Sequence, residues 1–158
     1  MKPDEVIELL TQAKVDEAFE AVEEVPEESR KDLAQKLTEF AGTLNLVKGR
    51  DLLCETLLKK SLTLDYENPY THYNIGVLYT NPGYLSEHPE KLEKALLAYE
   101  NALKYKPTFH MARYNLALLY FFNGEKVRAQ RLYDEIVDAV GDVPEYRELG
   151  MLLLRDKL

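Results

Sequence analysis

Few residues of this chain have types that could do chemistry, and their spacing argues against it. The histidines are His72, His88 and His110. An imidazole can act as a general base or bind zinc, but a metal site needs its ligands at set spacings, as in His-Glu-x-x-His. None of the three stands in such a pattern. His72 and His110 fall near the starts of successive helices, where a surface or capping role is expected. Cys54 is the single cysteine. It excludes an internal disulfide and a multi-cysteine zinc site, and reads as a small buried packing residue. Glu23-Glu24 and Glu27-Glu28 pair carboxylates, the groups of general acid–base work. They lie at helix ends, where acids complement the helix dipole and face water. No phosphate-cradling glycine loop and no nucleophile-elbow motif occurs in the sequence. The expectation is a protein that is not an enzyme, with no catalytic residue, no metal and no cofactor.

Composition narrows the partners. The chain has 158 residues, 28 acidic against 20 basic, and a net charge of −8. That is room for one compact domain with its own core. An acidic surface is a poor match for nucleic acid or an anionic membrane, so neither is expected as a partner. No apolar run approaches a membrane span, and the start Met1-Lys2-Pro3-Asp4 lacks a signal-peptide pattern. A cytoplasmic, reducing location is expected. The charge is uneven. Residues 1–34 hold four basic and eleven acidic residues, for −7, and residues 35–158 hold 16 basic and 17 acidic, for −1. All eleven tyrosines lie between Tyr66 and Tyr146. A functional surface is expected in this neutral, tyrosine-rich body.

The elements that must position such a surface are helices. Leu33, Leu37, Phe40, Leu44 and Val47 step by four and three, as one face of a helix does. Leu92, Ala95, Leu96, Tyr99, Ala102 and Leu103 form a second stripe, and Ala129, Leu132, Tyr133, Ile136, Val137 and Val140 a third. No segment alternates long enough to be a strand. The spacing of breakers predicts helices at about 3–12, 15–24, 28–47, 50–65, 69–80, 88–105, 109–122, 125–140 and 144–157.

Two segments of this helical pattern repeat. Tyr73-Asn74-Ile75-Gly76-Val77-Leu78-Tyr79 matches Tyr114-Asn115-Leu116-Ala117-Leu118-Leu119-Tyr120. Each is followed by a helix with an early alanine (Ala95, Ala129) and a tyrosine four residues on (Tyr99, Tyr133). Gly76 and Ala117 allow close approach of the following helix, and Pro107 ends a unit. The pattern resembles the tetratricopeptide repeat, a helix–turn–helix unit of about 34 residues. A weaker copy precedes it, with Gly42 at the small position and Cys54 and Ser61 at the alanine positions. The resemblance implies an all-α, right-handed superhelical array of antiparallel helix pairs. Its units would be 35–68, 69–109 and 110–143, after an acidic N-terminal helical pair over 1–34. Residues 144–158 would be a C-terminal capping helix. The middle unit carries a seven-residue insertion near Asn81–His88, read as a tolerated insertion at an exposed turn.

The resemblance also implies where a partner sits. First helices of such units line a concave face that holds a peptide or a partner helix. Here the face would comprise Lys36, Glu39, Phe40, Thr43 and Val47, then Tyr70, Tyr73, Asn74, Val77 and Thr80, then Met111, Tyr114, Asn115, Leu118 and Phe122. The groove set is Tyr70, Tyr73, Asn74, Val77, Met111, Tyr114, Asn115, Leu118 and Phe122, with packing within the array as the competing role for its tyrosines and asparagines. The family's clamp for a C-terminal carboxylate would fall on Glu39, Thr43, Asn74, Met111 and Asn115. Only Asn74 matches, and no basic residue is present, so such a ligand is not expected. Met151, Leu152, Leu154 and Leu158 make the last helix apolar on more than one side. It is either unusually buried or a surface for a homodimer or another partner. Three functions follow: a scaffold binding a partner protein, a chaperone for an apolar client like those guarding type III translocators, and an oligomerisation unit acting through the last helix.

Overall fold

A computed structural model describes residues 1–45 and 47–158. Among the described residues ten α-helices follow one another: α1 (Pro3–Thr11), α2 (Val15–Val22), α3 (Arg30–Leu44), α4 (Asp51–Leu64), α5 (Pro69–Thr80), α6 (Pro82–Glu87), α7 (Leu92–Tyr105), α8 (His110–Phe122), α9 (Lys126–Val140) and α10 (Arg147–Asp156). Short 3₁₀ turns lead into α3, α7 and α10. No strand occurs among the described residues. The fold is an all-α array of helix pairs: α1 packs on α2, α3 on α4, α5 on α7 and α8 on α9. Neighbouring pairs join through α1–α3, α3–α5, α4–α5 and α7–α8.

Local chemistry sets the element ends. Asn68 accepts a hydrogen bond from the Tyr70 N–H at 3.0 Å, and Pro69 follows at the first helical position of α5. Gly49 and Gly124 stand between paired helices with φ of +81° and +83°, a region that favours glycine. The helix expected over 28–47 ends as a regular α-helix at Leu44, and Leu46 in its expected tail lies outside the described residues.

The insertion near Asn81–His88 is not a loose turn. Asn81 accepts from the Gly83 N–H at 3.2 Å and Pro82 opens α6, the same Asn-Pro start that α5 uses. Tyr84 of α6 is buried, stacks on Tyr79 with ring centroids 5.7 Å apart, and donates its hydroxyl to Glu55 of α4. The Glu55 carboxylate also pairs with Lys59 at 2.7 Å. Burial pushes Glu55 upward, but the bonds from Lys59 and Tyr84 outweigh it and hold the carboxyl below its ordinary range.

Small residues let the helices close on one another. Ala34, Ala41, Cys54, Ala95, Ala102, Ala112, Ala117 and Ala129 are fully buried. Within the helix pairs a close approach occurs at Gly76. A Cβ there would lie 2.6–2.8 Å from the ring atoms of Tyr99, which is 2% exposed. Tyr99 is thus held against the α5 backbone, with its hydroxyl 3.2 Å from Thr80 Oγ1. A chain of buried hydroxyls ties α3, α4 and α5. Thr38 of α3 lies 2.7 Å from both Ser61 of α4 and Thr71 of α5, and Ser61 donates on to the Ala34 carbonyl. Each hydroxyl is satisfied, so its burial carries no unpaired polar group.

Gly76→Ala drives a methyl into the Tyr99 ring. Overpacking of this kind costs ~1–3 kcal/mol, against which alanine gains ~1 kcal/mol of helix propensity. Urea unfolding should show a net loss of up to ~2 kcal/mol. The loss should shrink when Tyr99→Leu is added, because the ring is then absent.

Candidate functional site

Of the residues with chemistry-bearing side chains, His72 and Cys54 are absorbed into packing, while His88 is partly exposed beside Glu90. His72 is 3% exposed, not a surface or capping residue as its position suggested. Its Nε2 lies 2.6 Å from the Tyr66 carbonyl, and its ring stacks on Tyr105 at 5.6 Å with the Tyr66 ring edge-on at 5.0 Å. Burial lowers its pKa below the ordinary imidazole value, opposed by the bond to Tyr66. His110 is partly buried, 3.3 Å from Arg113 through Nδ1. Cys54 is buried with its thiol 3.4 Å from the Ala41 carbonyl. Burial, reinforced by Asp51 and Glu55, pushes that thiol up to about 11, so it stays protonated and unreactive. Among the described residues no group of three His, Cys, Asp or Glu side chains could hold a metal ion.

The expected groove residues divide into two sets. Tyr73, Asn74 and Asn115 hydrogen-bond within the array, and Tyr114 packs within it. Asn115 Nδ2 donates to Tyr73 Oη at 3.3 Å, and Asn74 Nδ2 donates to the Thr38 carbonyl at 3.3 Å. Tyr73 packs on Phe109 at 4.9 Å, and burial raises the pKa of its phenol, opposed by the Asn115 bond. Tyr114 is 8% exposed and packs on Tyr146 at 5.0 Å. The second set faces outward. Tyr70 is 41% exposed, Met111 49% and Phe122 70%. Val77, Asn115, Leu118 and Phe122 come together with Thr80, Pro82, Tyr99 and Leu119 around an open hollow of about 380 Å³ between α5, α7 and α8.

Sequence reasoning missed Lys106 and Phe109. Lys106 donates to Tyr70 Oη at 2.7 Å, and its ammonium lies 4.8 Å from the Tyr70 ring centroid and 5.1 Å from that of Phe109. Tyr70 also meets Phe109 at 5.3 Å. Lys106 lies in the α7–α8 turn and Phe109 at the expected start of the next helix, and helical periodicity does not show which side chains meet there. Pro82, within the expected insertion, also lines the hollow.

Residues 89–150 match the tetratricopeptide repeat family model. The all-α array of helix pairs is consistent with a tetratricopeptide-repeat type of array. The uncharacterized protein ycf37 of Cyanophora paradoxa is 33% identical over 63 residues, 40% of this chain and 37% of that protein. The chain therefore spans well under half the length of the relative it matches. No helix among the described residues is long and apolar enough to cross a membrane.

At the far end of the repeat array, α10 rests on α8 and α9 through Leu149 and Leu153, both buried. A Cβ on Gly150 would lie 2.7 Å from Cζ of Tyr133, so this glycine admits the ring of α9. Leu152 is half-buried, while Met151, Leu154 and Leu158 are 62%, 63% and 100% exposed.

The depressed His72 pKa carries a pH prediction. The unfolded chain, titrating near 6.5, binds a proton that the folded protein refuses. Stability from this site is therefore fully present above pH 6.5 and is lost as pH falls toward the lowered folded value. Thermal melts between pH 7 and pH 5 should show Tm falling with acid. His72→Gln, which keeps an N–H donor for Tyr66, should flatten that slope.

Proposed function

We propose that the protein is a non-enzymatic adaptor whose concave face binds an apolar peptide or helix of a partner protein. The observation that carries this is Phe122, 70% exposed at the rim of the hollow that Val77 and Leu118 floor. A large ring held in water beside an open apolar hollow marks a surface made to be covered. The tetratricopeptide repeat type supports the same reading, since such arrays hold partner proteins. Asn74 and Asn115 spend their amide donors on neighbouring helices, so side-chain burial rather than clamping of a peptide backbone dominates recognition. The groove set comprises Tyr70, Val77, Met111, Leu118 and Phe122 as contact residues, with Tyr73, Asn74, Tyr114 and Asn115 fixing the helices that present them. The domain division that fits this is three units over 35–68, 69–109 and 110–143, preceded by the acidic pair and followed by α10. The same face would serve a chaperone that shields an apolar client segment.

Peptides selected from a display library on the full chain provide the test. Phe122→Asp and Met111→Asp change exposed side chains, so melting should be unaffected. Each should weaken the selected apolar peptides at least ~10-fold, the loss of one interface anchor. Val127→Asp, on α9 away from the hollow, should leave affinity unchanged. Full affinity in both groove variants would sink the proposal.

A further inference from the structure

The outward side of α10 carries a self-complementary seam, and we propose that it pairs antiparallel with α10 of a second copy of this chain. Around α10, Leu149 and Leu153 mark the buried side, and Arg147, Met151 and Leu154 lie roughly 120–180° away from it at 100° per residue, with Leu158 beyond the helix end. Arg147, Met151 and Leu154 step by four and three, as one stripe along a helix does. The seam is apolar from Met151 onward and exposed throughout. Glu148 and Arg155 stand seven residues apart on the same flank of it, and among the described residues neither makes an ion pair within the chain.

That arrangement selects its occupant. A two-fold axis placed between Met151 and Leu154 sets Met151 of each copy against Leu154 of the other. The same axis sets Glu148 of each copy beside Arg155 of the other, twice per dimer, as a closed isologous contact requires. A parallel pairing sets Glu148 beside no basic flank and gains nothing from these charges. The seam is short and at the low end of specific interfaces, so the dimer is weak and depends on concentration. It is separate from the groove, whose residues α5 and α8 supply, and stands or falls independently of the groove's function.

Sedimentation equilibrium of the full chain over a concentration series tests the pairing. The wild type should show a monomer–dimer equilibrium. Leu154→Glu, at a side chain 63% exposed, should raise the dissociation constant at least ~10-fold without changing the melt. Glu148→Arg alone and Arg155→Glu alone each set like charges together across the axis and should weaken the dimer. The two combined should restore it. A wild type monomeric at every concentration, a Leu154→Glu variant that still dimerises, or a double swap that fails to recover would each overturn the proposal.

Discussion

The ring of Tyr99 occupies the space where any side chain at position 76 would begin. That single contact decides how closely α7 approaches α5, and much else follows from it. Tyr99 packs against the half-buried Tyr73 at 6.0 Å and reaches the Thr80 hydroxyl. Tyr73 in turn accepts the bond from Asn115 of α8. The spacing of one helix pair is thereby passed to the next through rings and amides, because a close-packed interior transmits a fixed distance rather than absorbing it. The hollow between α5, α7 and α8 is what these fixed distances leave open, and Tyr99 itself forms part of its wall.

The first half of the array solves the same problem with hydroxyls. Thr71, Thr38 and Ser61 pass a hydrogen bond across three helices, where the later units set tyrosine rings against glycines, Tyr99 on Gly76 and Tyr133 on Gly150. Small polar groups can hold helices together only when every one is paired, and here the Ala34 carbonyl closes the chain. The two solutions meet at α5, which carries Thr71 on one side and Gly76 on the other. This explains why the unit before it looks worn in sequence. Its landmarks are Cys54 and Ser61 instead of alanines, and both are fully buried with hydrogen bonds to α3 carbonyls.

Binding surface and packing surface draw on the same residue types in this molecule. Tyrosine serves as wedge at Tyr99, as strut at Tyr73, as anchor of the α6 insertion at Tyr84 and as exposed contact at Tyr70. Position in the sequence pattern does not separate these roles. Tyr73 and Tyr70 sit three residues apart on α5, yet Tyr73 is enclosed by Phe109 and Tyr99, while Tyr70 is 41% exposed under Lys106. What distinguishes them is which neighbouring helix ends nearby.

The sequence by itself determined the helices, their order and the repeat type. Period, caps and breakers are local signals, and a helix pair can be read from within its own residues. It also marked Gly76 as a point of close approach, since a glycine inside a helix at a repeating small position has few other uses. The tertiary structure alone decided which aromatic residues face water. Phe122 and Phe121 are neighbours in sequence, but only Phe122 projects beyond the cover of adjacent helices. It alone placed His72 in the interior, turned the insertion into α6, and brought Lys106 over Tyr70. Each of these depends on distances between elements far apart in the chain. Such distances are set by the summed packing of many side chains, which no window of sequence contains.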